Sequence, residues 1–261
     1  MTPSSFPFRS ARLRVASLDR AQAFYAGVLG LHAARTAAGE LTLRPAPDAP
    51  ALLTLREIPG LAPAPEDAPG LFHLALLVPA RADLARVLRR LAEQRYPVQG
   101  LSDHGVSEAI YLADPDGNGL ELYADRPRAE WPQRDGQLAM FTRALDVPEL
   151  LSTAPDDRPA GLPPGTTLGH VHLRVADLAA AERFAATELA LTVTTRAYPG
   201  ALFYAADGYH HHLATNTWGV RSSAPTALHA GLDSVQTAVP GLTAARTVEG
   251  PANISFELTP A

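Results

Sequence analysis

The chain has 261 residues, enough for two ordinary domains with buried cores, and its formal net charge of -5 provides no basic field for nucleic acid or an anionic membrane. It contains no cysteine, which excludes disulfides, thiolate metal sites and cysteine nucleophiles, so any metal must be held by His, Asp or Glu. The N-terminal MTPSSFPFRSARLRV has no apolar run of signal-peptide length, and no segment approaches the roughly 18 apolar residues of a membrane span. A cytoplasmic protein acting on a small molecule is the expectation.

Taken in chain order, the first informative element is half of an internal repeat. LRVASLDRAQAFYAGVLGL at 13–31 aligns without gaps with LRVADLAAAERFAATELAL at 173–191. Each copy reads as a strand of alternating apolar residues, a Ser or Asp that can cap a helix, and a helix. A variant begins at Leu71, where LFHLALLV is strand-like, PARADLARVLRRLAEQ is a proline-initiated amphipathic helix, and Pro97 stops it. Strands are then expected near 97–101, 107–113 and 119–124. The pattern predicts an α+β protein of βαβββ modules: module one at about 8–58, module two at 71–125 and module three at about 168–218. Residues after 226 read as a shortened fourth module without a helix of useful length. The expected division is a first domain at 1–126, a packed linker at 127–166 that lies on the domain surfaces, and a second domain at 167–261.

Strand alternation in LGHVHLRV sends Val171, Leu173 and Val175 toward the helix and His170, His172 and Arg174 to the opposite face. In LFHLALLV the same rule places Phe72, Leu74, Leu76 and Val78 toward the helix and leaves His73 pointing away with Ala75. Either histidine alone is better read as a hydrogen-bonded structural residue than as a ligand. In SEAIYLADPDGNGLELYADRP, ADPDGNG reads as a turn between two strands; centred near Asp116, it sets Tyr111 opposite Glu121. Asp114, Asp116, Asn118 and Gly119 also match the opening of a calcium-binding loop, but the flanks alternate like strands and Asp125 stands where a bidentate Glu is normal. Finally, GYHHHLATNTW at 208–218 alternates so that His211 faces one way and His210 with His212 the other, which prevents all three from serving one site.

These segments, above all FRSARLRVASLDRAQAFYAGVLGL, GLFHLALLVPARADL, DHGVSEAIYLADPDGNGLELYADRPRAEWP, GTTLGHVHLRVADL and GYHHHLATNTW, resemble the vicinal oxygen chelate superfamily of glyoxalases, bleomycin- and fosfomycin-resistance proteins and extradiol dioxygenases. The nearer resemblance is to two-domain catechol 2,3-dioxygenase-like bacterial proteins. It implies two domains of curved, mostly antiparallel sheet, and a metal held by His73, Glu121 and His170. In that branch the ion is Fe(II), with Mn(II) or another divalent metal as the alternative, and the substrates are a catechol-like aromatic and O2. The resemblance also implies His211 as the acid-base group, Tyr111 as a hydrogen bonder to the substrate oxygen, and His104 as a group that steadies the substrate; His210 and His212 are left structural or solvent-facing. Ser10 stands in module one where module three has His170, so the site-forming partners are modules two and three, paired within one chain or across a homodimer. A glyoxalase-type lyase or isomerase, which needs a second carboxylate beside the metal, and a metal-free protein that binds an aromatic or antibiotic ligand are the competing readings.

Overall fold

The first strands of the modules become the seams of two sheets in the computed structural model of the protein, which describes residues 8–154, 157, 161–222 and 229–261. In the site-bearing sheet, Gly70–Leu77 of module two runs antiparallel to Thr167–Arg174 of module three. Each is flanked on its other side by the last strand of its own module, Gly119–Asp125 and Leu213–Asn216, in parallel pairing. The remaining strands continue outward, giving nine strands among the described residues. Modules two and three therefore pair within one chain. Phe8–Val15 of module one meets Gly231–Val239 of module four in the same antiparallel way, as the centre of a seven-stranded sheet. The chain segments 1–126 and 167–261 thus interlock through both sheets.

The repeat predicted the helix caps at matched positions. Ser17 accepts from the Arg20 backbone N–H at the start of Leu18–Gln22, and Asp177 accepts from Ala179 and Ala180 at the start of Leu178–Leu189. The proline-initiated reading of module two's helix needs correction. The helix is Arg81–Glu93, Ala80 is its N-cap, and Pro79 lies before it. Burial of Leu84, Val87, Leu88 and Leu91, each worth about 1.5–3 kcal/mol, holds it on the sheet in place of a side-chain cap. Module four contributes strands and a tight turn at Pro251–Asn253 in place of a helix, as its short sequence implied.

The connecting segment does more than cover a surface. Arg143–Ala144 adds an edge strand beside Gly100–Asp103, and the helix Val147–Ser152 seats the buried Leu150 in the apolar core. No helix among the described residues is long and apolar enough to cross a membrane.

Two irregularities in the central pairing aim side chains at the site. Register shifts between Leu168 and His170 and between His172 and Leu173 leave Gly169 and Phe72 as extra residues in their strands. A Cβ at Gly169 would collide with the Tyr123 hydroxyl and ring, so only glycine permits this approach. Gly169→Ala is expected to cost about 1–3 kcal/mol in denaturant unfolding, the usual range for overpacking. Unchanged stability would mean that Tyr123 moves aside freely. The second bulge corrects the alternation reading of LFHLALLV, because Phe72 faces the cavity on the same side as His73 and is 37% exposed.

Candidate metal centre and its cavity

His73 and His170 come from the two antiparallel seam strands, and Glu121 comes from the strand beside His73, where it pairs with Ala75. Tyr111 lies opposite Glu121 across the turn, in the register that the ADPDGNG turn predicted. One nitrogen from each histidine and one Glu121 oxygen all lie within 4.8 Å of one another, and the three residues are buried. His170 Nε2 and His73 Nε2 are each 3.0 Å from Glu121 Oε2. The His73 contact lacks hydrogen-bond geometry, so this buried nitrogen has no hydrogen-bond partner, and His170 Nδ1 has none either. His170 Nε2 hydrogen-bonds Glu121 Oε2, but the third converging atom, His73 Nε2, is left unpaired, as an atom that ligates a cation would be and one in a purely structural cluster would not.

The charge states suit that use. Burial raises the Glu121 carboxyl, but neighbouring His170 and His73 outweigh it and hold the group well below the usual carboxylate range. Burial pushes the His170 imidazole down to about 4, against the opposing pull of Glu121. A carboxylate and neutral imidazoles are the forms that ligate a divalent ion. At the position related to Glu121 by the symmetry of the two modules stands Ala214, opposite His172. The cluster therefore carries one carboxylate, which counts against the lyase or isomerase reading. The calcium-loop reading of Asp114 and Asp116 is also answered. Asp114 accepts from the Asp116 and Asn118 backbone N–H groups, the Asn118 amide and the Tyr25 hydroxyl, while Asp116 accepts from the Ala16 backbone and the Arg20 guanidinium. Their oxygens are thus spent on pinning the turn to module one.

The cluster opens into a cavity of about 350 Å³. His104, Tyr111 and His211 all line it, together with His172, Phe72, Phe203, Tyr198, Met140, Thr142 and Trp218. A larger cleft of about 900 Å³ lies beyond Phe72 and Trp218, and none of the three clustered residues lines it. His104 Nδ1 lies 3.0 Å from the Phe141 carbonyl oxygen, which can only accept, so Nδ1 carries the proton and Nε2 accepts from the Tyr111 hydroxyl at 2.8 Å. Burial, helped by Glu121, raises the Tyr111 phenol well above 10, which keeps its proton in place. Burial also pushes His211 well below the usual imidazole range, and His170 and His210 add to that shift.

The alternation reading of GYHHHLATNTW is corrected in its cause. Residues 209–212 precede the strand, which begins at Leu213. His211 nevertheless lines the cavity, its ring centroid 4.2 Å from that of His170. His210 and His212 are buried rather than solvent-facing, the first against Asp125 and the second accepting from the Ala206 N–H. Phe72, Met140, Thr142, Tyr198 and Trp218 are wall residues that the sequence reading did not single out. For His172, which alternation did place on this face, the Asn216 amide donates to Nε2 at 2.9 Å.

These histidines make the metal-free protein acid-sensitive. With folded-state values depressed below an ordinary value of about 6.5, the unfolded chain takes up protons that the folded one refuses as pH falls. Their contribution is therefore intact above about 6.5 and is lost on the way down; for His170 the loss reaches about 3 kcal/mol by pH 4. Thermal melts of metal-free protein between pH 7 and 5 should show a steadily falling Tm, and a flat profile would contradict these charge states.

The fold and site define a two-sheet α+β protein of paired βαβββ modules with a buried two-histidine, one-carboxylate cluster. The chain belongs to the glyoxalase/bleomycin resistance protein/dioxygenase superfamily, whose family model matches residues 8–122. Over 235 residues it is 41% identical to a catechol-2,3-dioxygenase of Bacillus subtilis (strain 168), covering 88% of this chain and 81% of that one. Among solved structures, glyoxalase I from Zea mays superposes with a TM-score of 0.56 at 15% identity, covering 97% of this chain and 92% of that one. The cppA protein from Streptococcus pneumoniae TIGR4 superposes with a TM-score of 0.58 at 12% identity, covering 97% and 99%. Likeness at such identities is likeness of fold.

Proposed function

We propose that the protein is a cytoplasmic extradiol dioxygenase that uses a divalent metal, Fe(II) in preference to Mn(II), to insert O2 into a catechol-like aromatic. The observation that carries this reading is the His73–Glu121–His170 cluster at the floor of an aromatic-walled cavity that also presents His211 and the His104–Tyr111 pair. The name of the Bacillus subtilis relative supports it. When bound, the ion would supply the positive charge that gathers two adjacent ring oxygens and the redox chemistry that O2 requires.

The rest is the work of side chains. Phe72, Phe203, Tyr198 and Trp218 form walls suited to a flat ring and displace water from it. Tyr111, whose proton is donated to His104, accepts through its hydroxyl oxygen from a substrate hydroxyl beside Glu121. His211, neutral and on the cavity wall, accepts a proton from a ring hydroxyl and returns one later in the reaction. None of the described lining residues is a lysine or arginine, which favours a catechol without an acidic substituent. The test is anaerobic reconstitution with Fe(II), then a panel of substituted catechols in aerated buffer monitored for a yellow ring-fission product. Turnover is expected, fastest on uncharged catechols; no product across the panel would sink the proposal.

A further inference from the structure

His210, buried and set back from the cavity, has no part in the chemistry described so far. Its ring nitrogens nevertheless join two groups that do not otherwise meet. His210 Nε2 lies 2.9 Å from Asp125 Oδ1, and His210 Nδ1 lies 2.8 Å from His211 Nδ1. Asp125 ends the strand that carries Glu121, so the contact crosses from module two to module three.

Donor and acceptor roles follow from the carboxylate end. A carboxylate only accepts, so the proton between Asp125 and His210 sits on Nε2. A neutral imidazole that donates through one nitrogen accepts through the other, so His210 Nδ1 accepts from His211 Nδ1–H. That leaves the lone pair of His211 on Nε2. Two tyrosines fix the same end of the chain: Tyr209 donates to both Asp125 oxygens, at 3.2 and 3.0 Å, and Tyr123 therefore donates to Tyr209 at 2.9 Å. The Tyr209 ring packs at a tilt against His210 with centroids 4.0 Å apart, and the Trp131 ring packs against it at 5.3 Å, which restricts rotation of the imidazole.

We infer that Asp125 and His210 are positioning residues that hold His211 as the Nδ1–H tautomer, with its Nε2 lone pair free to take a proton from the substrate. The catalytic consequence rests on the dioxygenase reading; the tautomer does not. The logic is that of a carboxylate orienting a histidine, extended through a second imidazole. An amide in place of the carboxylate can donate, which would reverse each bond in the chain and turn a His211 N–H toward the cavity.

Two measurements on the full chain separate the possibilities. Imidazole 15N–1H correlation spectra of histidine-labelled protein, metal-free and loaded with diamagnetic Zn(II), should show His211 as the Nδ1–H tautomer, its signals assigned by their loss in His211→Asn. In Asp125→Asn the tautomer should switch. A parent His211 protonated on Nε2, or a tautomer indifferent to Asp125, would overturn the inference. In the Fe(II)-loaded enzyme, Asp125→Asn and His210→Phe should lower kcat roughly 10- to 100-fold while iron content and KM stay near parent values, since neither residue reaches the metal cluster or lines the cavity. Asp125→Glu should recover part of the rate. Loss of iron in step with loss of rate would mean a merely structural role and would also overturn it. Spectra as described, with no ring cleavage in any variant or the parent, would sink the dioxygenase reading and leave the relay standing.

Discussion

Glu121→Gln is expected to abolish tight metal binding while leaving the metal-free fold intact. Replacing a hydrogen-bonding neighbour of a metal ligand typically costs 10- to 100-fold in affinity, and replacing the only carboxylate of a three-residue set should cost at least about 100-fold. The fold should survive for a reason specific to this cluster. In the metal-free protein Glu121 is a buried carboxylate beside His73 and the neutral imidazole of His170, a costly arrangement. A glutamine can both donate to and accept from those rings, so the variant's metal-free Tm should equal or exceed that of the parent. Calorimetric titration with Fe(II) under anaerobic conditions, paired with thermal melts, gives both numbers. Retained metal affinity would remove Glu121 from the site; a collapsed Tm would recast it as structural.

His211→Asn separates proton transfer from metal binding. The ring packs on His170 but is not among the three convergent donors, so iron content should be unchanged. Loss of a general acid-base group typically costs 10²–10⁴-fold, and kcat for ring cleavage is expected to fall by about that factor with little change in KM. Steady-state kinetics with parallel iron analysis decides it. Iron lost together with rate would make His211 a ligand, and an unchanged kcat would leave the proton-transfer role without support.

What the sequence disclosed was what short-range rules govern. Ser17 and Asp177 cap matched helices because capping is a local contest for the first backbone N–H groups. Tyr111 meets Glu121 because a turn fixes the register of the strands it joins. His73 and His170 converge from one face of the sheet because alternation has a period of two.

The remainder depended on contacts between distant segments. The bulge at Phe72 arises from pairing with a strand about a hundred residues away, and no local pattern announces it. The histidine triplet alternates in composition but not in conformation, since residues 209–212 are fixed by side-chain bonds to Asp125 and Ala206 before the strand starts. Met140 and Thr142 reach the cavity from a connector without periodicity, positioned by the edge strand Arg143–Ala144. Asp125, read only as a misfit in a calcium loop, acquires a partner once modules two and three share a sheet.

The central claim is that His73, Glu121 and His170 hold one metal ion beneath an aromatic cavity. The most direct test is an anomalous difference map from crystals of anaerobically Fe(II)-loaded protein, recorded at the iron edge. A single peak per chain bonded to His73 Nε2, His170 Nε2 and a Glu121 carboxylate oxygen is predicted, with His211 close by but unbonded. Absence of a peak there, or a peak held by His211 or by residues elsewhere, would contradict the account.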